Sequence, residues 1–137
     1  MGFFSRKPNV GKLQKDKDID SLLEALEHKD LRIKREAAMA LGGIKDPKCV
    51  NQLVSKISVS GFMPSSEVAL WGDIAWALGE IGDGKAVEPL KDLQKVELSS
   101  SIGSGGSFED MMKLAAEAKN NMSYLKEQVS EALRKIG

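Results

Sequence analysis

The sequence contains few of the residues that build disulfides, metal sites and catalytic centres. Among 137 residues there is one cysteine, Cys49, and one histidine, His28. A single cysteine excludes an intrachain disulfide and a cysteine-based metal site. We therefore expect no metal, no cofactor and no catalytic residue. His28 is predicted to lie on the surface of a turn, and Cys49 to pack in a small buried position.

Aromatic residues, excess charge and long apolar runs are also scarce. Aromatic residues make up 5% of the chain, which favours an aliphatic core. Twenty basic residues balance twenty acidic ones, whereas nucleic-acid binding usually draws on a basic excess. No run approaches the roughly 18 apolar residues of a membrane span, and the first residues lack the apolar stretch of a secretion signal. We expect a soluble, cytoplasmic protein of one domain with no membrane partner.

An internal repeat is the strongest pattern that the sequence does contain. Ala40-Leu41-Gly42-Gly43-Ile44 returns 37 positions later (77 − 40) as residues 77–81, and 55 further on (132 − 77) as residues 132–136. Each copy ends an apolar stripe at i, i+4, i+7, i+8 and i+11, which is one face of an α-helix. The three stripes are Ile33, Ala37, Ala40, Leu41 and Ile44; Leu70, Ile74, Ala77, Leu78 and Ile81; and Leu125, Val129, Ala132, Leu133 and Ile136.

Another apolar segment accompanies the repeat. Residues 50–54 echo residues 19–23 at a spacing of 31 (50 − 19). Each unit is therefore predicted to be a helix A, a turn and a helix B. Stop signals follow two of the B helices, at Asp46-Pro47 and at Gly82-Asp83-Gly84. Asp18, Asp20 and Ser21 all stand where they could cap the first A helix.

These motifs resemble the HEAT-like repeats of the phycobilisome-lyase type, and the closest likeness is the sequence ALGEIGDGKAVEPL at residues 77–90. The chain resembles a small stand-alone form of such proteins, of the archaeal or bacterial type. The resemblance covers roughly residues 18–96 and resumes at about 124. It implies an all-α fold, an α-α superhelix of about two and a half to three helix pairs whose B helices line a concave surface. Some enzymes of this kind bind two irons through His-Glu pairs, which the single histidine excludes.

The expected organisation is an N-terminal tail with a short capping helix, residues 1–17, followed by a single repeat domain, residues 18–137. Its units span 18–48, 49–85 and 86–137, with insertions near 60–66 and 97–120. The Gly/Ser loop at 97–107 is either a spacer or a functional lid. Residues 108–119 are predicted to form an extra helix, begun by Ser107 and Asp110. This helix either breaks at Asn120-Asn121 or runs on into the last B helix.

The groove side of the B helices supplies the candidate binding residues. Met39 and Trp76 occupy matching positions opposite the core stripes, and large apolar residues there are typical of interaction surfaces. Trp76 either faces the groove or packs along the seam between adjacent B helices. Basic residues are predicted to flank Met39, and acidic residues to lie near Trp76 and at the matching position of the last unit. The predicted partner-binding set is Met39, Trp76, Arg32, Arg35, Asp73, Glu80 and Glu131.

The sequence thus predicts a non-catalytic protein–protein interaction or scaffolding module that binds another protein in the B-helix groove. Terminal repeats with an unmasked face also favour self-association. One alternative is nucleic-acid binding through a local basic patch (Arg32, Lys34 and Arg35), which the balanced charge disfavours. Another, implied by the resemblance alone, is a lyase-like chaperone for tetrapyrroles or bilins.

Overall fold

The computed structural model describes residues 8–57, 67–95 and 108–136 of the chain. Within these ranges the secondary structure is helical and contains no β-strand. The all-α prediction is therefore confirmed. The α-helices are α1 (Val10–Lys15), α2 (Ile19–Ala25), α3 (Leu31–Ile44), α4 (Val50–Lys56), α5 (Val68–Ile81), α6 (Val87–Gln94) and α7 (Phe108–Ile136).

The helices follow the A-then-B order that the repeat predicts. Helices α2, α4 and α6 are the A helices, and they pack against the B helices α3, α5 and α7 respectively. The B helices also stack on one another, α3 on α5 and α5 on α7. The predicted apolar stripes face the interior, where Leu41, Leu78 and Leu125 are fully buried. An aliphatic core therefore runs through all three helix pairs, as expected for a solenoid.

The turns between units repeat at the level of single hydrogen bonds. Asp46 and Asp83 each accept the backbone N–H two residues on, at 2.9 Å, and each begins a short 3-10 turn into the next A helix. The residues just before them, Lys45 and Gly82, both adopt the left-handed conformation, with φ of 62° and 77°. At the first A helix Asp18 is the cap, because its carboxylate accepts from the N–H of Ser21.

Glycines set the distance between successive B helices. A Cβ built on Gly42 of α3 would lie 2.8 Å from the Cα of Ala77 in α5. A Cβ on Gly79 of α5 would lie 2.7 Å from the Cα of Ala132 in α7. Carbon atoms in good contact are about 3.5–4.0 Å apart, so neither position accepts a side chain without moving the neighbouring backbone. The Ala-Leu-Gly motif is therefore the stacking element of the solenoid.

The third unit differs from the others in the length of its B helix. Helix α7 is continuous over 29 residues, so of the two alternatives for residues 108–136 the unbroken one is observed. Its second half carries the repeat motif and packs on α5. Ser107, the loop 97–107, the insertion 60–66 and residues 1–7 lie outside the described residues. Among the described residues, none of the helices combines the length and the apolar character of a membrane span.

Two residues singled out by their rarity are both buried. Cys49 is fully buried, as predicted, and its equivalent Ala86 is too. Burial raises the pKa of the Cys49 thiol to about 11. The prediction that His28 lies on the surface is wrong, because its side chain is buried in the turn between α2 and α3. Its Nδ1 accepts the N–H of Asp30 at 3.0 Å, which makes the imidazole part of the turn itself.

Candidate functional site

An open cleft of about 440 Å³ lies where α1, α3 and the side chain of Trp76 meet. Helix α1 forms one wall, and Trp76 closes the opposite side. The floor is a single face of α3. The lining residues are Val10, Gly11, Gln14, Glu36, Met39, Ala40, Gly43 and Trp76.

The repeat explains why a cleft forms at this place. The α3 residues of the lining, at positions 36, 39, 40 and 43, match positions 73, 76, 77 and 80 of α5 at the repeat spacing of 37 (77 − 40). In α5 this face packs against α3. In α3 it packs against α1, which has 6 residues where α3 has 14. At 1.5 Å per residue, α1 is about 9 Å long and α3 about 21 Å long. Helix α1 therefore leaves part of the α3 face open.

The contacts of α1 show which part of the α3 face is covered. Val10 is buried, and a Cβ built on Gly43 would meet only the Gln14 amide, at 2.6 Å. Ala40 is also buried. Met39, in contrast, is 51% exposed and is one of the few large apolar side chains that reach solvent in the described part of the chain. Helix α1 thus covers the end of the face near Gly43 and leaves Met39 open.

Trp76 combines the two roles that the sequence left as alternatives. The edge of its ring lies against Gly42, where an added Cβ would be 2.6 Å from Cζ3. The indole therefore packs in the seam between α3 and α5. It is only partly buried, and it also lines the cleft beside Met39. Trp71, in comparison, is 5% exposed and belongs to the core.

The prediction that Asp73 offers an exposed acidic charge is wrong. Asp73 is 1% exposed, and its carboxylate accepts from Nε of Arg35 at 2.6 Å and from the hydroxyl of Tyr124. The hydrogen bond to Asp73 raises the pKa of Arg35. Burial, followed by the bond to Asp73, raises the pKa of Tyr124 to about 12. These three side chains come from α3, α5 and α7, so they tie the B helices together.

Two more of the predicted charges, Glu80 and Glu131, form ion pairs with other side chains of the chain. Glu80 binds Lys135 of α7, and its other oxygen lies 3.6 Å from Nζ of Lys45. The hydrogen bond from Lys135 lowers the pKa of Glu80. Glu131 pairs with Arg134 one helical turn on. The pattern of basic charge near Met39 and acidic charge elsewhere therefore comes largely from pairs that connect neighbouring elements.

Of the predicted set, only Met39 and Trp76 are brought together in the cleft. Arg32 is exposed at the start of α3 but is not part of the cleft lining. Sequence reasoning missed Glu36, Gly43 and the contribution of α1. The repeat spacing contains the missing signal, because Glu36 occupies in α3 the position that Asp73 occupies in α5.

Comparison with known proteins agrees with this architecture. A family model described as HEAT repeats matches residues 19–100, more than half of the chain. The chain belongs to the HEAT repeat family. The match begins at α2 and covers the first two helix pairs of this HEAT repeat protein and helix α6 of the third. Neither curated proteins nor solved structures give a significant match.

The chemistry that the cleft offers is that of recognition. Its floor and far wall present a thioether, an indole edge and two small residues, and Glu36 adds a carboxylate. No group of three or more His, Cys, Asp or Glu side chains suited to a metal ion occurs among the described residues. Apolar clefts with a few polar groups bind side chains of ligands or partner proteins. HEAT repeat proteins are commonly scaffolds for protein interaction.

Proposed function

We propose that this HEAT repeat protein is a non-catalytic, cytoplasmic interaction module that binds another protein through the cleft between α1, α3 and Trp76. The observation that supports the proposal most strongly is the half-exposed Met39 beside the partly buried Trp76. Tryptophan is enriched among the residues that contribute most of the binding energy at protein interfaces. Methionine is flexible and adapts to the surface of a partner. The packing of α3 on α5 holds the backbones of the two residues in place, so the helices need no rearrangement on binding.

The alternative functions receive less support from the described residues. Nucleic-acid binding relies on a basic patch, yet Arg35 is bound to Asp73 and Nζ of Lys34 lies 3.5 Å from the carboxylate of Glu67. Both cations are therefore partly neutralised within the chain. A phycobilisome-lyase-like role in binding tetrapyrroles would need a cavity that encloses a large flat pigment. The cleft is instead open to solvent along one side.

The test is differential capture with two matched methionine variants. Met39→Glu places a charge in the cleft, and Met112→Glu places the same charge at another exposed methionine, 58% exposed on α7. Each full-length variant is immobilised and used to capture proteins from an extract of the source organism. We expect a partner that the unmodified chain and Met112→Glu both retain and that Met39→Glu loses. Equal capture by the two variants would contradict the proposal, provided that circular dichroism shows equal helicity.

A further inference from the structure

Glu36 is an acidic group in the cleft whose counterpart in the next repeat has a defined partner. Glu36 matches Asp73 at the repeat spacing of 37 (73 − 36). Asp73 binds Arg35, which the stacked helix α3 supplies. Glu36 is exposed, and none of the described residues forms an ion pair or a side-chain hydrogen bond with it. In a helix that stacked on α3 as α3 stacks on α5, the position equivalent to Arg35 would face Glu36.

The rest of the face defines what else such a helix must carry. Ala40 corresponds to Ala77, on which Gly42 packs, and Met39 corresponds to Trp76. Helix α1 already covers the end of the face near Gly43, so an incoming helix contacts the open part around Glu36 and Met39. A matching segment therefore combines an arginine with an apolar side chain on the same face, three or four residues apart.

Head-to-tail stacking of a second copy of this chain does not provide that combination. The outer face of α7 would have to stack on α3, and its positions 127 and 134 match Arg35 and Gly42 (127 − 35 and 134 − 42 are both 92). The first of these is Glu127, which would face Glu36 with the same charge. The second is Arg134, whose side chain is 75% exposed and stands where the stack requires a glycine. Charge and size therefore both oppose head-to-tail assembly.

We infer that the cleft selects a helical segment of a different protein, in which an arginine binds Glu36 and a neighbouring apolar side chain packs against Met39 and Trp76. This inference rests on the proposed function and specifies its partner chemically. A guanidinium suits the site because it keeps its charge and binds carboxylates through two parallel hydrogen bonds.

The experiment uses a displayed library of helix-forming peptides about 18 residues long, which is enough for appreciable helicity. Three full-length baits are compared: the unmodified chain, the Glu36→Arg variant and the Glu24→Arg variant. Glu24 is exposed on α2 and has no ion pair among the described residues, so its reversal matches the change in net charge. Met39→Glu is a fourth bait. Peptides selected on the unmodified chain are then remade with glutamate in place of arginine, and binding is measured by fluorescence anisotropy.

We expect the unmodified chain and Glu24→Arg to enrich arginine-containing peptides, and Glu36→Arg to enrich acidic ones. Arginine-to-glutamate peptides should bind the unmodified chain about tenfold more weakly and regain affinity for Glu36→Arg, as complementary charge pairs do. Peptides that depend on Met39 but ignore the charge at position 36 would overturn the inference and leave the proposed function standing. Peptides that ignore both residues would overturn both. Sedimentation showing a dimer that Glu36→Arg dissociates would make a second copy the occupant and overturn the inference.

Discussion

The role of Gly42 as the stacking element leads to a prediction that two neighbouring glycines can test. In Gly42→Ala the new Cβ would lie 2.6 Å from Cζ3 of Trp76 and 2.8 Å from Cα of Ala77. The second atom is backbone, so α5 has to move away by about 0.7 Å to restore an ordinary carbon–carbon contact. Overpacking of this kind costs about 1–3 kcal/mol.

Gly43→Ala is the matched control, because it makes the same chemical change in the same helix one residue later. Its Cβ meets only the side-chain amide of Gln14, whose nitrogen would lie 2.6 Å away. Gln14 is exposed, so its flexible end can turn aside. Both variants gain up to about 1 kcal/mol of helix propensity. Gly43→Ala should therefore be neutral or slightly stabilising, and Gly42→Ala should be less stable than Gly43→Ala by about 1–3 kcal/mol.

Urea denaturation followed by circular dichroism measures this difference directly, with similar m-values expected for both variants. If Gly42→Ala unfolds at the same urea concentration as Gly43→Ala or higher, close helix approach does not set the stacking distance. A lower midpoint with an unchanged m-value would locate the loss in the packing between α3 and α5.

Three further predictions concern the turns, Tyr124 and Cys49. Lys45→Gly should stabilise the chain by up to about 1 kcal/mol, because glycine adopts the left-handed conformation of this position without the usual steric cost, and Gly82→Ala should destabilise it by about as much. Thermal unfolding should show a higher Tm for Lys45→Gly and a lower Tm for Gly82→Ala, and Tm shifts of the same sign would contradict this reasoning. Tyr124, the sole tyrosine, should have a pKa of about 12 in the folded chain and of about 10 in urea, so folding stability should fall as the pH rises from about 10 to about 12. Asp73→Asn should lower the pKa of Tyr124 in the folded chain, as measured by ultraviolet titration. An unchanged pKa would refute the hydrogen bond between Tyr124 and Asp73. Cys49 should react slowly with a thiol reagent at neutral pH and fast in urea, because the pKa of this buried thiol is about 11 and the thiolate is the reactive form. Fast reaction of the folded chain would show that Cys49 is accessible to solvent and contradict the prediction.

The sequence predicts the fold well because the fold depends on local periodic patterns. Residues such as Leu41 and Leu78 recur at helical spacing, and their burial follows from that spacing alone. The turn aspartates Asp46 and Asp83 likewise act within two residues of their own positions. A continuous α7 is one of the two alternatives that the sequence predicts, because Asn120-Asn121 weakens a helix locally without forbidding it.

The charges of the candidate site were predicted less well because their partners are distant in sequence. Arg35 and Asp73 are 38 positions apart, and Tyr124 is another 51 away. No local pattern shows whether a carboxylate at position 73 points to solvent or to a cation on the next helix. Met39 was easier, since a large apolar residue on the polar side of a helix is visible in the helical pattern itself.

The carboxylate shared by α3, α5 and α7 has a consequence for how the protein unfolds. Arrays of repeats often lose their units one after another, because each unit touches only its nearest neighbours. Here one acidic side chain joins a guanidinium from the first unit to a phenol from the third. Detaching either end leaves the buried carboxylate of Asp73 with one hydrogen-bond donor fewer, which is costly. Fraying from one end is thereby discouraged, and the three units are expected to melt in a single transition.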